Sequence, residues 1–237
     1  MQTVKSYIVD YYEYSKLGQH YKLGEEGETP VGTVLTPDPL DEDCSGLQLS
    51  ALKEGGVNLV ALLGTGRPTA HVFWRHITPL VSGATVTPND YGFHVDSSGH
   101  AYHVFKAVTP SPFTIESGDG TGHTGRHTVV WQNARHAHWG TLNSLTFDTM
   151  KAADDPAFVN PWPVMGKGYV GYHARLLKSV LNQVQAAGLT ISYSTTGNTV
   201  GASTVTQINR FRANHGLAAN GVCDKAMVLR LHGALGL

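Results

Sequence analysis

A chain of 237 residues is long enough to bury a sizeable core and fits one large domain or a medium domain with a small one. Its 17 Lys and Arg against 18 Asp and Glu leave a net charge of -1, and only 15% of residues are charged, which excludes the basic footprint of a nucleic-acid binder. A hydrophobic content of 41% excludes disorder, and no apolar run reaches membrane-spanning length, so no membrane insertion is expected.

In chain order, Val4, Tyr7, Ile8, Tyr11, Tyr12 and Tyr14 fall at spacings that share a helical face, predicting a first helix over 2–17 with Gly18 as its stop. The opening Met1-Gln2-Thr3-Val4-Lys5 carries no long apolar segment with a small-residue cleavage site, so the chain is expected to start out in the cytoplasm of the cell that makes it. Residues 24–43, rich in Gly, Pro, Thr and acids, read as a surface loop. An apolar-periodic run over 44–54 meets Gly55-Gly56 and predicts a second helix, and 67–79 predicts another short one. From Val81 to about residue 145, short β-branched and aromatic segments alternate with turn residues. Strands are expected at 91–95, 101–108, 113–116 and 127–131 in one antiparallel sheet, which makes the fold class α+β. Residues 149–163 break both periodicities and read as a linker. Helical stripes then return through Leu176, Leu177, Val180 and Leu181, through Val205, Ile208 and Phe211, and through Met227, Val228 and Leu231, as in a small three-helix module.

Chemistry concentrates at Asp43-Cys44-Ser45-Gly46, where the loop gives way to the second helix. At a helix N-terminus, unpaired N–H groups and the dipole favour a thiolate, the form in which cysteine is a nucleophile. A packed, inert thiol is the competing reading. With Cys223 far away and in a segment of different character, two free thiols are expected rather than a disulfide. A cysteine nucleophile needs a base, and the base needs a third group to orient it. Of the 13 histidines, His103 lies inside the most strand-like run, with Ala101, Phe105 and Ala107 on its face. Glu116, at the end of the next strand, supplies a carboxylate for the second ring nitrogen.

These residues resemble the NlpC/P60 cysteine peptidases, which cleave peptide stems of bacterial peptidoglycan on a papain-like core. Asp43-Cys44-Ser45-Gly46-Leu47 is similar to the nucleophile motif, His103-Val104 to the His-Val at the start of a strand, and 113–117 to the strand carrying the third polar residue. Tyr21-Lys22-Leu23-Gly24 looks like the segment preceding the nucleophile, and Arg67-Pro68-Thr69-Ala70 like the one after its helix, although Leu23 stands in place of Trp and Phe105-Lys106 in place of Gly-Ile. The resemblance implies Cys44, His103 and Glu116 as catalytic residues, oxyanion donors from the Cys44 N–H and Tyr21 hydroxyl, and contacts from Asp43 and Ser45 to the amino end of the stem. Capping of the helix is the alternative for Asp43 and Ser45. No cofactor is implied.

Residues 197–231, with Thr204-Val205-Thr206-Gln207-Ile208-Asn209-Arg210-Phe211 and the turn Gly216-Leu217-Ala218-Ala219-Asn220-Gly221, are similar to the peptidoglycan-binding type 1 domain. The two resemblances imply a catalytic domain over 1–148, a linker over 149–165 and a wall-binding domain over 166–237. That order resembles a phage endolysin, held in the host cytoplasm until released to the cell wall. Its partner would be peptidoglycan, with cleavage between γ-D-glutamate and a diamino acid, and a monomer is expected. Two other readings remain open. His94, His100, His123, His127, His136 and His138 suggest a zinc-dependent hydrolase or amidase, and the departures around His103 suggest an inactive wall-binding or tail protein.

Overall fold

The computed structural model describes residues 1–17, 43–66, 68–108, 113–118, 124–128, 137–158, 160, 162–185 and 197–235. Its architecture is α+β, helices packed against an antiparallel sheet.

The predicted first helix divides in two. Gln2–Lys5 is a strand, β1, and helix α1 runs only over Ser6–Ser15. β1 pairs in parallel with Leu145–Asp148, and the Gln2 side chain also exchanges two hydrogen bonds with the backbone of Asn58, at 2.9 and 2.8 Å. A partner strand more than a hundred residues away thus overrides a local helical spacing. Helix α2 (Cys44–Glu54) has the expected bounds, because Asp43 caps its start and Gly55-Gly56 ends it, with Gly56 at φ +82°. Two single turns follow, α3 (Leu59–Leu63) and α4 (Ala70–Trp74), capped by Asn58 and Thr69. The expected helix over 67–79 therefore shortens to α4 and gives way to a strand.

That strand is β2 (Ile77–Pro79), followed by β3 (Tyr91–Val95), β4 (Ala101–Val108), β5 (Phe113–Ser117), β6 (Thr124–Thr128) and β7 (Ala137–Leu142). They form one sheet in the order β2-β7-β3-β4-β5-β6, while β8 (Leu145–Asp148) pairs with β1. Residues 129–131 of the last predicted strand lie outside the described residues. β7 and β8 went unread in the sequence.

Register decides what each face of β4 does. Val104 lies opposite Phe93, and Lys106 lies between Tyr91 and Ile115; all five side chains are buried. Lys106 is fully buried because α1 meets it with two acids, Asp10 Oδ1 at 2.5 Å and Glu13 Oε2 at 2.8 Å. Burial raises the Asp10 carboxyl, and the Lys106 charge counters that rise. The opposite face carries His103 and Phe105, set against His94 and Gly92. Gly92 is required there, since a Cβ would lie 2.2 Å from the Phe105 ring.

Residues 149–165 hold a 3-10 turn at Ala152–Asp154 and bury Phe158, Trp162 and Met165. Helices α5 (Tyr172–Gln185), α6 (Ala202–Asn214) and α7 (Lys225–Leu235) follow. Arg212 ties the turn after α6 together, its guanidinium donating to the carbonyls of Ala218 and Val222 and to Asp224. The C-terminal helices pack on α1. Ser179 Oγ of α5 donates to the Leu17 carbonyl at 3.2 Å, and the fully buried His232 of α7 stacks on Tyr11 with ring centroids 4.0 Å apart. Tyr7 and Phe158 present edges to the same imidazole, and Trp162 lies 4.7 Å from Tyr11. The core is continuous from α2 through α1 to α7.

Candidate active site

Cys44 is the first residue of α2 and is 6% exposed. Helix geometry leaves its N–H without an intrahelical carbonyl. Asp43 organises the turn, its Oδ1 accepting from the Gly46 N–H at 2.6 Å and from the Ser45 hydroxyl at 2.9 Å. Asp43 and Ser45 thus make a cap that fixes the direction in which the cysteine leaves the helix.

His103 is the third residue of β4, on the face away from the α1 ion cluster, and its side chain is 14% exposed. The β4–β5 register places Glu116 on that same face, one step beyond the Lys106 to Ile115 pair. Glu116 accepts a hydrogen bond from His103 Nε2. The imidazole is also hydrogen-bonded to Cys44. Burial works against a charged His103, yet the hydrogen bonds to Cys44 and Glu116 and their negative charges outweigh it and raise its pKa to about 9. Three residues from three separate elements thereby form one chain of contacts, Cys44 to His103 to Glu116. Such a line can take a proton from sulfur, hold it on an oriented ring and return it.

His94 lies directly across from His103, ring centroids 5.4 Å apart, and Phe105 packs edge-on to Trp139. Lys106 and its acids are a second polar cluster that the sequence did not disclose; the available sign was a lysine inside an otherwise apolar strand. Tyr21 lies outside the described residues. Of the other histidines, His100 stacks on His71 and His138 packs against Trp74, while His123, His136 and the side chain of His127 are outside the described residues. Among the described residues no three His, Cys, Asp or Glu side chains converge as metal ligands. Cys223 is a buried thiol in the C-terminal part, pushed up to about 12 by burial, with Asp224 adding to the rise.

No family model matches the sequence, and no curated protein matches it. Among solved structures, the chain is similar to NlpC1 from Trichomonas vaginalis, at 20% sequence identity and a TM-score of 0.41, over 58% of this chain and 43% of that one. The chain therefore spans less than half the length of that protein.

Proposed function

We propose that the protein is a cysteine peptidase that cleaves the peptide stems of bacterial peptidoglycan, with Cys44 as nucleophile, His103 as general acid and base, and Glu116 as the group that orients His103. The observation that carries this reading is His103 itself, hydrogen-bonded to both a helix-terminal thiol and a carboxylate. Cys44 Sγ attacks the carbonyl carbon of the scissile amide, and the N–H of Cys44 stabilises the oxyanion. The C–N bond breaks as His103 delivers its proton to the leaving amine. Water then attacks the thioester while His103 takes a proton from it, and the thiol is released. Splitting one difficult step into two is the gain from the covalent route. Glu116 orients the ring and supports the imidazolium.

The substrate class follows from the resemblance of Asp43-Cys44-Ser45-Gly46 and His103-Val104 to the NlpC/P60 motifs, and the bond from the same source, γ-D-glutamate to diamino acid. The resemblance of residues 197–231 to a peptidoglycan-binding domain supports the same substrate. A role in host lysis, with the protein held in the host cytoplasm until release, extends that reading. Incubation with purified peptidoglycan and mass spectrometry of the soluble products tests it. New amino termini on a diamino acid are expected, insensitive to a chelator and lost on alkylation of Cys44. Wall binding without release, or release that survives Cys44→Ala, would overturn it.

A further inference from the structure

The start of β4 is held differently from the rest of the strand. The β4–β5 ladder runs from Lys106 to Val108, and beyond it the side chain of Glu116 reaches back to His103. On the other side β3 pairs to the end, but the register shifts. His94 lies opposite His103 and Val95 opposite Ala101, leaving Tyr102 as an extra residue, 62% exposed. Such a bulge breaks the ladder locally and re-aims the neighbouring side chain. The neighbour here is His103. Glu116 holds the ring of His103 at Nε2, whereas the backbone that carries the ring lies at a bulge and past the end of the β4–β5 ladder, and so calls for an anchor of its own.

Helix α4 supplies that support. It packs against β4, and its second residue, His71, accepts the Ala101 N–H on Nδ1 at 3.2 Å. A backbone N–H only donates, so this bond fixes the lone pair on Nδ1 and the ring proton on Nε2. The ring is itself held, stacked on His100 with centroids 4.2 Å apart and planes 17° from parallel. His100 is anchored in turn, its N–H donating to Asp96 Oδ1 at 3.0 Å, in a turn that the same oxygen closes by accepting from Ser98.

Resting on the peptidase reading, we propose that His71 is a positioning residue for His103, fixing the start of β4 through the Ala101 amide so that the imidazole is aimed at Cys44. A misplacement of about 1 Å between reacting groups costs on the order of a hundredfold in rate, so the bond acts on turnover rather than on substrate binding. Two substitutions separate the acceptor from the ring. His71→Phe keeps a ring to stack on His100 and removes the acceptor; His71→Asn keeps an acceptor oxygen near the position of Nδ1 and loses the ring.

The readouts are the pH profile of Cys44 alkylation by iodoacetamide, which needs no peptidoglycan, and kcat and KM on a soluble stem peptide. Relative to the native chain, His71→Phe is expected to alkylate about tenfold more slowly at pH 6, with the profile moved towards that of His103→Ala, and to lose kcat with KM retained, while His71→Asn stays within about threefold. An unchanged His71→Phe, or equal losses in both variants, would overturn the inference while leaving the peptidase reading intact. A native profile identical to that of His103→Ala would overturn the reading and the inference together. Hydrogen exchange at the Ala101 amide of the native chain gives a measurement that does not depend on any variant folding. Slow exchange is expected, and exchange as fast as in the exposed turn at Ser97 to Gly99 would overturn the proposal.

Discussion

His103 carries its proton further into alkaline solution than an ordinary histidine does, because Cys44 and Glu116 favour the charge more than burial opposes it. The alkaline limb of kcat/KM is therefore expected near pH 9 in the native protein, reported as a property of the coupled pair. Glu116→Gln removes one of the raising influences, so its limb should fall at lower pH with activity reduced but measurable; a limb that does not move would remove Glu116 from the site. His103→Ala should cost roughly 10²–10⁴ in kcat/KM, the usual worth of a positioned acid and base. A different kind of loss is expected at Lys106. Lys106→Met leaves Asp10 and Glu13 buried without their cation, and breaking a buried ion pair on one side costs about 3–5 kcal/mol, measurable by urea unfolding. At this scale the sequence was partly legible. Cys44 and His103 each sit in a local pattern with its own chemistry, and Glu116 could be reached by assuming that consecutive strands pair. Lys106 and His71 could not, because what gives each its meaning is a partner about 30 to 95 residues away.

Among the elements, α7 contributes a second perturbed histidine of opposite sign. Burial among Tyr7, Tyr11 and Phe158 holds His232 neutral and lowers its pKa to about 3. Charged groups beside this packing include Lys225, over the Phe158 ring, and Asp155, bonded to Lys5 and the Tyr7 hydroxyl. The two histidines then act in different pH windows. For His232, folded pKa below unfolded, the stabilising contribution is present above about pH 6.5 and is lost as pH falls towards 3; for His103, folded pKa above unfolded, it is present below about 6.5 and is lost as pH rises towards 9. Stability should accordingly peak near pH 6.5. At pH 5.5 the contribution of His232 is already falling, so thermal unfolding of His232→Phe should respond less to acid than that of the native chain. An identical acid response in the two would place the sensitivity elsewhere. Elements with local signals were the legible ones: α2 lies between an Asp cap and a glycine pair, and β3 and β4 alternate between turns. β1 was read as helix because Val4, three residues before Tyr7, continues the helical spacing of α1, and only the partner strand more than a hundred residues away makes it a strand. β7 was missed because Gly140, which breaks its pattern, is there to admit Ile77, whose Cδ1 would lie 2.5 Å from an added Cβ.

In the whole molecule, α1 is the shared wall. One side holds Lys106 of the sheet and packs on α2, and the other receives α5 and α7. Burying one large apolar or aromatic side chain is worth roughly 1.5–3 kcal/mol, so uncovering Tyr7 and Tyr11 together costs about 3–6 kcal/mol, a large fraction of the roughly 5–15 kcal/mol by which a domain is stable. The full chain is therefore expected to melt in one calorimetric transition, and a chain ending at residue 148 to lose cooperative unfolding. Two separate transitions, or a well-folded truncation, would show instead that the halves are independent. The packing of α7 on α1 also bears on inheritance and engineering. A binding part joined to an enzyme by a slack tether can be traded for another, since neither depends on the other to fold. Here the C-terminal helices close a core that runs through α1 to α2, so a foreign replacement would have to reproduce His232, Phe158 and Trp162, and the two ends of the chain are constrained to change together.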